Sequence, residues 1–363
     1  MHYKLLFNKN GTPTYGSQHV YNPRTYDAPK GNYVILDYVS GSEGVSESDL
    51  LEHTKKGLET LPKDYSTNIL LSYHPEAIHS NHWTNILELV KEYGYKKCIV
   101  YDGGLDLKVK VEDIEVYHVM ANSLIDIYTK PFITFPRDKL YCFLARKLRK
   151  HRVELLSEIY KAKLNFQGNI TCGWTKEDEI LYENPDVVNV IPTNIRKILP
   201  ITIDSEETWV GLTRLEPEMY RSVCHVVLES NVCPEWFKSH PLIETSSDRQ
   251  FITEKTIKAF ALGQIPIFVA LPGYVDKIRD LGFDVFDDVV NHSYDLEKDF
   301  EIKALLITHQ LRKLCIKYSI ADWNSFLIEN MDRLVKNFNR VNYLIKHNTA
   351  KFESLIHAKF PII

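Results

Sequence analysis

The run Arg146-Lys-Leu-Arg149-Lys-His-Arg152 repeats a guanidinium group every three residues, and arginine's planar fork matches the oxygens of a phosphate or diphosphate. Further along, Phe251-Ile-Thr253-Glu254-Lys255-Thr-Ile-Lys sets an acid beside a base. A lysine so placed serves a phosphate, and its neighbouring carboxylate takes a sugar or ribose hydroxyl or steadies the lysine. Glu229 ends a β-prone run and is followed by Ser230 and Asn231. It offers a carboxylate to a ligand, or its turn is merely capped through Asn231. In Tyr73-His74-Pro-Glu76-Ala-Ile-His79-Ser-Asn-His82, imidazoles and a carboxylate crowd together. His74 and Glu76 have the chemistry of a general base toward a hydroxyl, and His79 and His82 that of acceptor contacts. The spacing fits no zinc pattern, so no metal is expected, and helix capping is the structural alternative.

Particular elements must position these groups. Val223-Cys-His-Val-Val-Leu-Glu229 is a nearly continuous apolar run, the pattern of a strand buried on both faces, and it delivers Glu229 to a carboxyl end. Thr253 stands where an N-cap belongs, before a helix that stops at Gly263 and a buried strand, Ile265 to Val269. An opening helix turn has orphan N–H groups and the positive end of the dipole, which together seat phosphate. Lys139 to Ala145 reads as a strand entering the arginine run, and a helix follows from Lys150 to Ala162. Positive charge at a helix start opposes the macrodipole and is best understood with an anion beside it; the bland alternative is a solvated basic turn.

Upstream, strands at Tyr33–Val39, Asn68–Tyr73, Lys97–Tyr101 and Ile114–Val119 alternate with helices at Asp49–Thr60 and around Trp83–Tyr93, the latter closed by Gly94. This alternation predicts parallel sheets flanked by helices. Pro131-Phe-Ile-Thr-Phe-Pro136 interrupts it. The expected organisation is a Rossmann-like domain at 1–135 and a second α/β domain at 136–320. A long helix from Trp323 to Ile345 lies within a 321–363 segment that packs back toward the first domain. Ligands of such sheets bind beyond the strands' carboxyl ends, here in a cleft between the domains.

At 363 residues the chain exceeds one ordinary core. Its net charge of −4 shows no overall bias toward nucleic acid or membrane. The scattered cysteines lack CxxC spacing and read as reduced core thiols of a cytoplasmic protein. The chain has neither a signal-peptide pattern at its start nor an apolar run of the roughly 18 residues that a membrane span needs, so no membrane anchor is expected.

The order of strand, RKxRxHR and helix, then a strand ending in Glu, then Ile252-Thr-Glu-Lys255, then Gly263-x-x-Pro266-Ile, resembles the donor domain of family 10 glycosyltransferases, the α1,3-fucosyltransferases. The resemblance covers roughly residues 139 to 270. The tail from Gly273 to Asp288 is similar to uncharacterised fucosyltransferase-like proteins of large phages and viruses. Ser230 separates Glu229 from Asn231 where the family has Glu-Asn, and Ala270-Leu-Pro-Gly273 stands where a glycine usually follows the strand. The resemblance implies a GT-B-type fold and an inverting, metal-independent transfer of a sugar from a nucleotide-diphosphate sugar to a hydroxyl of a saccharide or glycolipid. It further implies donor contacts from Arg146, Arg149, Arg152, Asn231, Thr253, Glu254 and Lys255, with Glu229 at the reaction centre. No cofactor is implied beyond the nucleotide sugar. A phage-type enzyme acting on a modified DNA base, in the host cytoplasm, and a non-catalytic nucleotide-binding module are the alternatives.

Overall fold

The computed structural model describes residues 4–7, 13–14, 34–38, 47–60, 68–72, 80–105, 107–120, 133–145, 149–172, 191–199, 201, 217–229, 232 and 249–359. His74, Glu76, His79, Arg146 and Asn231 lie outside them. The fold is mixed α/β with parallel sheets, and it divides into two compact units. One contains residues 1–124, 245–252 and 345–363; the other contains 125–244 and 253–344. The sequence reading draws its boundary at 135/136, whereas the compact units change over at 124/125, 244/245, 252/253 and 344/345.

In the first unit, β1 (Lys4–Phe7), β2 (Pro13–Thr14), β3 (Val34–Tyr38), β4 (Asn68–Ser72), β5 (Lys97–Asp102) and β6 (Glu115–Met120) form a sheet ordered β2-β1-β3-β4-β5-β6. Described neighbours run parallel except β1 and β2. Successive side chains of a strand point to opposite faces, and the core follows that rule. Ile69, Leu71, Cys98 and Val100 pack with Leu58 of α1 (Glu47–Thr60) and with Trp83, Ile86, Leu87 and Val90 of α2 (Ser80–Glu92). Leu70, Ile99 and Val119 face the other way, with Phe352 and Leu355 packed against them. Gly94 follows α2 at φ +89°, the left-handed conformation of a helix stop.

In the second unit, β7 (Lys139–Ala145), β8 (Gly168–Cys172), β9 (Ser222–Leu228) and β10 (Ile265–Val269) are all parallel and ordered β10-β9-β7-β8. β9 is buried at every position, as its unbroken apolar pattern requires. Pro266 is tolerated because β10 is an edge strand. The longer helices are α3 (Lys150–Lys161), α4 (Glu254–Ala261), α5 (Tyr274–Asp280), α6 (Phe300–Lys317), α7 (Ile320–Glu329) and α8 (Met331–Lys359), the last of which belongs to this unit only as far as Leu344. The single helix expected from Trp323 to Ile345 is two helices. The chain breaks at Asn330, a poor helix former whose side-chain amide bonds back to Phe326 O at 2.8 Å and competes with continuation. Among the described residues no helix is long and apolar enough to cross a membrane. Cys98, Cys142, Cys224 and Cys315 are free thiols.

Candidate anion-binding site

Glu229 follows β9 directly, and its backbone N–H continues the ladder to Val269 O at 3.0 Å. The residue is 2 % exposed. Thr253 Oγ1 donates to Oε2 at 2.7 Å, Thr256 Oγ1 to Oε1 at 2.7 Å and Tyr274 OH to Oε1 at 3.3 Å, with the Thr253 N–H at 3.4 Å. Thr253 is also the N-cap of α4: its backbone is extended and its hydroxyl accepts from the Lys255 N–H at 3.2 Å. One hydroxyl thus ties the strand end to the helix start. Lys255 Nζ lies 3.1 Å from Glu254 Oε1 and 3.3 Å from Thr253 Oγ1, with both charged side chains half-buried. Burial pushes the Glu254 carboxyl up, but the Lys255 and Lys258 charges outweigh it and hold it below the usual carboxylate range.

The start of α3 comes to the same region. Arg149 is its N-cap residue, in extended conformation, and no acidic residue occupies the first turn. Arg149, His151 and Arg152 are all buried. Arg152 Nη2 donates to Leu228 O at 3.5 Å, the residue before Glu229. Burial and then the Arg149 charge depress the Arg152 guanidinium to about 9, with Cys172, Glu254 and Glu229 acting in the opposite direction. Two helix openings and the cations Arg149, Arg152 and Lys255 therefore gather around the Thr253–Glu229 tie. Positive charge at a helix start is unfavourable by itself and becomes favourable with an anion bound.

Of the residues singled out from sequence, Arg149, Arg152, Glu229, Thr253, Glu254 and Lys255 are brought together. His82 is half-buried in the first turn of α2 and belongs to the other unit. Thr256 and Tyr274, the further partners of Glu229, were not legible. Tyr274 is 45 positions away, and neither residue carries a local motif. Among the described residues no group of three or more His, Cys, Asp or Glu side chains is arranged to hold a metal.

A second polar centre lies within the first unit. Asp102, last in β5, is fully buried. It accepts from Trp83 Nε1 at 2.9 Å, Gly104 N at 3.1 Å, both terminal nitrogens of Arg249 and the His118 imidazole, whose Nε2 is 2.9 Å away. Burial would raise this carboxyl, but the His118 hydrogen bond and the Arg249 charge hold it down at about 2. Leu105 N donates to Gln250 O at 2.8 Å, so residues 249–251 are fastened to the strand end. A Cβ at Gly104 would run into the Arg249 guanidinium, which explains the glycine. The Asp102-Gly-Gly turn is visible in the sequence as a turn. Its partner 147 residues away is not.

Compared with known proteins, the sequence matches no family model and no curated protein.

Proposed function

We propose that the chain is a GT-B-type glycosyltransferase whose second unit binds a nucleotide-diphosphate sugar at the starts of α3 and α4. The observation that carries this reading is the gathering of Arg149, Arg152 and Lys255, at two helix openings, around the buried Thr253–Glu229 tie. It is supported by the resemblance of those same segments to family 10 glycosyltransferases.

In the transfer, an acceptor hydroxyl forms a new bond to the anomeric carbon from the face opposite the diphosphate. The anomeric C–O bond breaks, and its electron pair leaves with the diphosphate, so the centre inverts. Arg149, Arg152 and Lys255 stabilise the charge that develops on the leaving group. Preorganised cations in a buried site act strongly here, which suits a metal-independent reaction. Glu254 is placed to accept from a sugar or ribose hydroxyl. Glu229 already receives donors from Thr253, Thr256 and Tyr274, which suits positioning of the α4 start better than proton abstraction. The acceptor proton then passes to a base such as His74 or Glu76.

The test is a panel of nucleotide-diphosphate sugars, followed by thermal shift and by release of free sugar or transfer. At least one donor should raise Tm and turn over, and Lys255→Ala should weaken its binding on the order of 10- to 100-fold with the fold unchanged. Unchanged affinity in that variant would remove the site assignment. Binding without turnover would mark a nucleotide-binding module.

A further inference from the structure

His151 is the second residue of α3 and is 5 % exposed. Its Nε2 is buried with no hydrogen-bond partner, a condition that costs stability and calls for an explanation. The ring packs edge-on to Phe300 of α6, with centroids 6.0 Å apart. The Glu229 backbone lies within hydrogen-bonding reach of the ring and favours its charged form. The Glu229 N–H is already given to Val269 O, so the carbonyl accepts, and the ring nitrogen that donates is Nδ1. Nε2 is thereby left as a bare lone pair on a ring that lies within the fields of Arg149, Arg152 and Lys255.

We propose that His151 is a proton-coupled ligand of the anion site: as a phosphate-bearing ligand enters at the starts of α3 and α4, Nε2 takes up a proton and donates it in a hydrogen bond to a phosphate oxygen. The proposal rests on the reading of this site as the seat of a nucleotide-diphosphate sugar.

Without ligand, burial comes first and the Arg152 and Arg149 charges next in holding the imidazole well below the ordinary histidine range; the Glu229 carbonyl opposes them and Lys255 adds to them. The ring is therefore neutral near neutrality. The fields acting on it come from Arg149 and Arg152 on its own helix, Lys255 on α4 and the carbonyl at the end of β9. On the α6 side Asp299 and Glu301 flank Phe300 in the chain, and their charges bear on Glu154 of α3. A doubly charged diphosphate among these cations reverses the sign of the field at Nε2 and favours the imidazolium. The proton comes from solvent and remains on His151 while the ligand is bound, so binding should consume protons.

Isothermal titration of the full chain with guanosine, uridine and thymidine diphosphate hexoses, in buffers of differing ionisation heat, reads this directly. The diphosphate bridge of these probes carries no proton that titrates near neutrality. The wild-type protein should take up as much as about one proton per bound ligand. His151→Gln should bind on the order of 10-fold more weakly with no uptake. His151→Leu, which removes the unsatisfied nitrogen, should melt no lower than wild type without ligand. Binding without uptake, or equal uptake in His151→Gln, overturns the role of His151 and leaves the donor-site reading standing. A clear fall in Tm for both variants would make the residue structural and also overturn the role. No binding by any probe overturns both.

Discussion

At Glu229 three hydroxyls, from the N-cap and body of α4 and from α5, converge on one buried carboxylate. Thr253 serves twice, as helix cap and as carboxylate donor. Thr253→Ala removes the cap, worth about 1 kcal/mol, and strips a hydrogen bond from a buried charge, worth about 1.5–3 kcal/mol. Urea unfolding should show a combined loss of roughly 2–4 kcal/mol, with most of it restored by Thr253→Ser. A neutral Thr253→Ala would mean that the tie between strand and helix contributes nothing. Sequence alone could mark Thr253 as a cap, since that role depends on local order. It could not show the bond to Glu229, because a strand end and a helix start 24 residues apart are joined only by folding.

The segment from Arg249 to Ile252 is short, yet it belongs to the first unit, while α4, starting two residues later, belongs to the second. Arg249 makes this possible by neutralising Asp102 in a site closed to water. Replacing one partner of such a pair leaves an uncompensated buried charge, a loss of about 3–5 kcal/mol. Arg249→Met should therefore lower the stability of the first unit by that order, read as faster hydrogen exchange in β5 and β6. Exchange unchanged from wild type would show the pair to be dispensable. The sign in acid follows from the depressed Asp102 carboxyl. Its contribution is complete above the unfolded value near 4 and is lost as pH falls through the folded value of about 2. In Arg249→Met that acid step should shrink.

Across the whole molecule, buried carboxyls are shifted in both senses. Asp102 of the first is held down, whereas Glu154 and Asp295 of the second are pushed up by burial, to about 7 and about 6. A carboxyl whose folded value is raised binds its proton more tightly in the native state. Its contribution is complete below the unfolded value near 4 and declines as pH rises through the folded value. Glu154 has one carboxylate oxygen buried without a partner and stands on α3, against α6. Calorimetry should show that Glu154→Gln flattens the fall in stability between about pH 4 and pH 7, with the difference from wild type growing toward higher pH. An unchanged slope would show that Glu154 stays ionised in the folded chain.

What the sequence determined by itself is local and periodic. The uninterrupted apolar run of β9, the span of β7 from Lys139 to Ala145 and the glycine-terminated helix before Ile265–Val269 were all legible, because burial pattern and caps act over a few residues. The cations and carboxylates of the candidate site were legible as types at strand ends and helix starts. Only the tertiary structure decided what each group faces. It turned Glu229 into a hub for Thr253, Thr256 and Tyr274, left His151 Nε2 without a partner and set Arg249 against Asp102. The physical reason is one of range. Secondary structure follows from neighbours along the chain, while the state of a charge depends on what surrounds it in space.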